Sequence, residues 1–112
     1  MSQITTHILD TTIGKPAQGV AIALYRQLGE GWESVANGIT NQDGRIADLL
    51  GKEVLLPKGF YKMRFELEAY FDRFGKKAFY PFVEIVFNVD SKEHYHIPLL
   101  LNPYGYTTYR GS

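Results

Sequence analysis

Between positions 61 and 67 every second side chain is apolar: Tyr61, Met63, Phe65 and Leu67 are separated by Lys62, Arg64 and Glu66. Successive side chains of a β-strand point to opposite faces, so this run is a half-buried strand and not a helical stripe. The same period recurs along the chain. Ile4, Thr6 and Ile8 alternate with Thr5, His7 and Leu9, and Val20, Ile22 and Leu24 with Ala21, Ala23 and Tyr25. Val83, Ile85, Phe87 and Val89 share one face of the run 81–89. Tyr95, Ile97, Leu99 and Leu101 are opposed by His94, His96, Pro98 and Leu100. Further strands are expected over 32–40, with a bulge at Asn37-Gly38, over 45–48 as a short piece, and over 104–110.

Turn signals separate these runs: Gly14-Lys15-Pro16, the stretch 28–31, Asn41-Gln42-Asp43-Gly44, Asp90-Ser91-Lys92 and Asn102-Pro103. Residues 49–58 follow no period. The period changes once, where Leu67, Tyr70, Phe71 and Phe74 fall at i, i+3, i+4 and i+7 before Gly75, which predicts one amphipathic helix of about two turns. The expected fold is all-β: a two-sheet antiparallel sandwich of seven or eight strands, with a short helix between the fifth and sixth. At 112 residues the chain is expected to be a single domain, 1–112.

Composition narrows the function classes. Lysine plus arginine is 12 and aspartate plus glutamate is 12, which gives no electrostatic case for nucleic acid or an anionic membrane. The chain has no cysteine, so disulfides, thiolate nucleophiles and cysteine-held metals are excluded. No apolar run reaches the ~20 residues that span a bilayer, and Met1-Ser2-Gln3-Ile4-Thr5-Thr6 has no signal-like character, so a cytoplasmic location is expected. Leu99, Leu100 and Leu101 place apolar groups on both faces of one strand, which points to a subunit interface on one of them.

Few residues carry chemistry. There is no HExxH pattern, no nucleophile elbow and no phosphate-cradling glycine loop. The three histidines are His7, His94 and His96. His94 and His96 share a strand face, either as a metal-binding pair or as a solvated one. His7 opens the first strand, in Thr6-His7-Ile8-Leu9-Asp10. The last strand runs almost to Ser112 with no polar tail, as expected of an end pinned in place.

Those residues resemble the 5-hydroxyisourate hydrolases, the enzyme branch of the transthyretin-like proteins. The shared stretches are Thr6-His7-Ile8-Leu9-Asp10, Gly14-Lys15-Pro16-Ala17, Asp43-Gly44-Arg45, Tyr80-Pro81, His96-Ile97-Pro98-Leu99-Leu100 and the closing Tyr106-Thr107-Thr108-Tyr109-Arg110-Gly111-Ser112. The final Tyr-Arg-Gly-Ser is the most specific, since hormone-carrying transthyretins lack it. Asn102 departs from the serine common before that proline. The resemblance implies a transthyretin-like (prealbumin-like) sandwich and a homotetramer built as a dimer of dimers, with active sites in the channel between dimers. It implies hydrolysis of 5-hydroxyisourate to 2-oxo-4-hydroxy-4-carboxy-5-ureidoimidazoline without metal or cofactor. It implies catalytic roles for His7, Arg45, His96 and Ser112, and substrate binding by His7, Arg45, Tyr109, Arg110 and Gly111.

The chemistry suits the residue types. Opening a cyclic amide needs an activated water and a stabilised oxyanion. Histidine exchanges protons near neutrality, and arginine offers a permanent cation with forked donors. The terminal carboxylate of Ser112 is suited to orienting a histidine or the water. Which histidine is the base is left open by the sequence. Two other readings stand beside the enzyme: a carrier binding a small hydrophobic ligand in the inter-subunit channel, and a plain β-sandwich interaction module. Neither explains the two histidines and the arginine together.

Overall fold

The computed structural model describes residues 2–112; Met1, which the 1–112 reading includes, lies outside the described residues. Strand β1 (Ile4–Asp10) buries Ile4, Thr6, Ile8 and Asp10 and leaves Thr5, His7 and Leu9 half-exposed, as its alternation requires. It lies between β2 (Lys15–Pro16) and β7 (Tyr95–Asn102), and β8 (Gly105–Thr108) completes this first sheet, in the order β2-β1-β7-β8. The second sheet has the order β4-β3-β5-β6, from β3 (Ala21–Leu28), β4 (Gly31–Ile39), β5 (Gly59–Glu66) and β6 (Phe82–Val89). The inner faces meet in one apolar core, in which Ile4, Ile8 and Leu99 of the first sheet pack with Leu24, Tyr61 and Phe65 of the second.

The sandwich, the eight strands and the place of the helix agree with the sequence reading. Several details do not. The first sheet is mixed, because β1 and β7 run parallel, with Ile4 opposite Tyr95 and His7 opposite Pro98. Side-chain periodicity carries no strand direction, so this was not legible in it. The count of eight includes β2, in the stretch 14–16 where the sequence signals a turn, and omits the strand expected over 45–48. There only Arg45 bridges to His7. The edge of β1 is already occupied: Ile8 receives Ala17 N–H and donates to Gly44 O, and Leu9 and Asp10 pair with β2.

The bulge in β4 lies at Val35, not at Asn37-Gly38. Leu24 pairs with Ala36 and Tyr25 with Ser34, while Asn37 and Gly38 stay in register with Ala23 and Ile22. Gly38 is small for another reason, since a Cβ there would stand 3.2 Å from two carbons of Ile46. Helix α1 (Glu68–Asp72) is shorter than two turns. Tyr70 and Phe71 are buried, but Phe74 is exposed beyond the helix, where Gly75 takes φ +66°.

The last strand also stops early, and Pro98 accounts for it. Tyr95 N–H donates to Gln3 O and Leu101 O accepts from Thr11, so the odd residues of β7 face β1 and the even ones face the C-terminal segment. His96 O accepts from Gly111 N–H, and Pro98 O accepts from the Thr108 hydroxyl. Pro98 has no N–H to give. The ladder therefore breaks over Tyr109 and Arg110 and resumes at the His96–Gly111 bridge.

Candidate active site

The parallel register builds the site. Thr5 lies opposite His96 in β1 and β7. Aligned residues of parallel strands share a face, and so do residues two apart. Thr5, His7, His94 and His96 thus all sit on the outer face of the first sheet, away from the core.

Arg45 arrives by a tight turn. Gly44 N–H donates to Asn41 O, Asn41 N–H to Arg45 O, and the Asn41 side chain accepts from the amides of Asp43 and Arg45. Gly44 takes φ +71°, and a Cβ there would collide with Ile8 O. The turn can therefore dock on β1 only with glycine at that position. It sets an Arg45 guanidinium nitrogen, Nη2, 3.4 Å from His7 Nδ1. Arginine has no acceptor, so in this contact His7 Nδ1 accepts, and a neutral His7 then carries its proton on Nε2.

On the other side of the site the Thr5 hydroxyl stands 2.8 Å from His96 Nδ1 and 2.7 Å from His94 Nε2. The two imidazoles lie nearly parallel, with ring centres 6.2 Å apart. A cleft of about 470 Å³ opens here, lined by Thr5, Thr6, Arg45, Ile46, Ala47, His94, His96 and Ser112. Its titratable side chains are all basic. The pKa of His96 is lowered from the ordinary histidine value, first by burial and then by the positive charges of Arg45, His94 and His7. Neutral His96 is the favoured form, with Nε2 as the ring nitrogen left for the cleft.

Of the residues expected at the site, His7, Arg45, His96 and Ser112 come together from four separate stretches of chain. Tyr109 and Arg110 do not join them. They line a second cavity of about 240 Å³ on the far side of His96, with Ile85, Phe87 and Ile97. Tyr109 is exposed, and Arg110 pairs with Glu93 and lies 4.7 Å from the Tyr95 ring centre. Gly111 backs the His96 ring and lines neither cavity. Thr5 was not singled out in the sequence, and His94 was noted only as one of a pair. Their spacing of two from His7 and His96 was visible, but the alignment of β1 with β7 was not. Among the described residues no group of three or more His, Asp or Glu side chains is placed to hold a metal ion.

Residues 4–111 match the model of the HIUase/Transthyretin family. The chain belongs to this family. Over 114 residues it is 44% identical to the 5-hydroxyisourate hydrolase of Mus musculus, covering 99% of this chain and 96% of that protein. Its fold matches the 5-hydroxyisourate hydrolase of Klebsiella pneumoniae with a TM-score of 0.85 and 41% identity, over 97% of this chain and 98% of that one. It matches sea bream transthyretin, solved in complex with thyroxine, with a TM-score of 0.90 and 32% identity, over 97% and 94% of the two chains. Within the family one backbone serves both a hydrolase and a thyroxine complex, so the side chains of the site must separate the two activities.

Proposed function

We propose that this protein is a 5-hydroxyisourate hydrolase that opens the six-membered ring of its substrate by attack of water on a ring amide. The observation that carries this reading is the joining of His7, Arg45 and His96 on one sheet face, beside a cleft whose titratable side chains are all basic. The relatives named for this enzyme, at 41% and 44% identity, support it over a thyroxine carrier.

His96 is the general base. It stays neutral at pH 7, Thr5 engages its Nδ1, and Nε2 takes the proton of the attacking water. His7, with Nδ1 occupied by Arg45, presents Nε2–H as a donor that orients the substrate. The Arg45 guanidinium faces the carbonyl oxygen, which becomes negative as the tetrahedral intermediate forms. Collapse breaks the carbon–nitrogen bond, and the ring nitrogen leaves with the proton held by His96. The product gains a carboxylate. Ser112, at the rim of the cleft, completes the water site.

The chain acts as one domain within a homotetramer. Strands β6 and β8 are sheet edges, and Phe82, Val86 and Tyr106 on them are exposed, which supports edge-to-edge assembly. No helix of the described residues is long and apolar enough to cross a membrane; a cytoplasmic site of action belongs to the same proposal, and cell fractionation tests it.

Hydrolysis in ¹⁸O-labelled water tests the reaction. One labelled oxygen is expected in the new carboxylate, formed faster with the protein than without it. Thyroxine binding with no acceleration of hydrolysis would replace the enzyme by the carrier.

A further inference from the structure

We propose that Thr5 is a positioning residue whose hydroxyl couples the protonation of His96 to that of His94, so that His94 carries the positive charge created when His96 takes a proton from water, until that proton passes to the leaving nitrogen. This rests on the hydrolase reading above. The Thr5 oxygen is within hydrogen-bond distance of one nitrogen on each ring, 2.8 Å from His96 Nδ1 and 2.7 Å from His94 Nε2. A hydroxyl has one hydrogen. It can donate to only one ring, and in the proposed arrangement the other ring donates N–H to it. In that arrangement the two tautomers are tied to each other.

In the resting arrangement His96 Nδ1–H donates to Thr5, and Thr5 O–H donates to His94 Nε2. This leaves His96 Nε2 bare for water and the His94 proton on Nδ1. When Nε2 takes the water proton, the Nδ1 proton passes to Thr5 and the Thr5 hydrogen passes to His94 Nε2. His94 is now the imidazolium, and His96 is neutral with Nε2–H toward the leaving nitrogen. As Nε2 gives that proton up, His94 Nε2–H returns to Thr5 and the Thr5 hydrogen returns to His96 Nδ1. One proton has moved from water to the leaving nitrogen, and every group is restored.

The surroundings favour moving the charge in this direction. His96 is half-buried and faces Arg45 from the 41–44 turn, His7 from β1, and His94 ahead of β7, while Gly111 and Ser112 flank it from the C-terminal segment. A cation there is poorly solvated and stands beside Arg45, with the Ser112 carboxylate the one anionic group lining the same cleft. His94 is exposed, where water solvates the same charge better.

Nitrogen-15 NMR of the histidine-labelled wild-type protein reads the tautomers directly. With both rings neutral, one of the two nitrogens facing Thr5 is expected protonated and the other bare. Finding both protonated or both bare overturns the coupling. Thr5→Val keeps the shape and removes the hydroxyl. It is expected to lower kcat about 10²-fold with KM little changed, and to release the tautomers from each other, while Thr5→Ser restores both. A Thr5→Val enzyme with wild-type kcat overturns the proposal, and so does a slow one that Thr5→Ser does not rescue. If Thr5→Val does not fold, Thr5→Ser and the wild-type spectrum still decide. The spectrum needs no turnover, so a wild-type protein without hydrolase activity would sink the functional reading and leave this test standing.

Discussion

Gly111 packs against the imidazole of His96. Its N–H donates to His96 O at 2.9 Å, and a Cβ on Gly111 would stand 3.1 Å from His96 Cγ, with Cδ2 closer still. The C-terminal segment thus holds the ring from behind while Thr5 holds it from the side. Gly111 was expected to bind substrate; in the structure it packs against the ring that the proposed mechanism uses as the base.

Gly111→Ala should therefore act on catalysis before stability. The added methyl displaces the ring from its alignment with Thr5, and a shift of about 1 Å in a reacting group costs on the order of 10²-fold. The expected result is a folded protein with kcat reduced by about that factor and a thermal midpoint close to that of the parent.

The pH dependence follows from the lowered pKa of His96. A lowered pKa keeps the imidazole neutral into more acidic solution, so the acid limb of kcat/KM should fall below the ordinary histidine value of ~6.5. Burial is the larger cause and Arg45 the next. Arg45→Met removes the second cause and should move the limb upward, though not all the way, along with a loss of rate. A pH–rate profile of both proteins measures this.

The fold was legible wherever a strand has one wet face. The runs containing Met63, Ile8 and Ile85 alternate because one side meets the core, and period two reports that side. What stayed hidden depends on partners distant in sequence. The parallel pairing of Thr5 with His96, the early stop at Thr108, which pairs with Leu99 beside Pro98, and the filling of the β1 edge by Lys15, Pro16 and Gly44 are all of this kind. His7, Arg45 and His96 were reached through the family resemblance, because no short spacing joins residues 38 and 51 positions apart. Thr5 has a common side chain and becomes informative only once two histidines are seen around it.

Buried Asp10 accepts from the Tyr70 hydroxyl at 2.8 Å and from Thr12 N–H at 2.9 Å. Burial, and then the Asp10 carboxylate, push the Tyr70 hydroxyl well above the ordinary tyrosine range, so it stays a donor. Tyr70→Phe leaves the carboxylate short of one donor and should cost about 1–3 kcal/mol of stability. Chemical denaturation measures the loss, and kcat should be nearly unchanged, since this pair faces the core.

Gly44→Ala should damage both properties. The left-handed backbone and the collision with Ile8 O force the turn off β1, which destabilises the fold by about 1–3 kcal/mol and carries Arg45 away from His7. Lower stability with an unchanged kcat/KM would show that Arg45 does not need this turn to reach the substrate.

The most direct test of the central claim is the decay of freshly generated 5-hydroxyisourate, followed by ultraviolet absorbance with no protein, with the wild type and with His96→Gln. The expected result is strong acceleration by the wild type, reduced by about 10²–10⁴-fold in His96→Gln, with both proteins folded and in the same assembly. Decay at the spontaneous rate with folded wild-type protein, or equal acceleration by His96→Gln, would contradict the claim that this cluster is a hydrolytic site with His96 as its base.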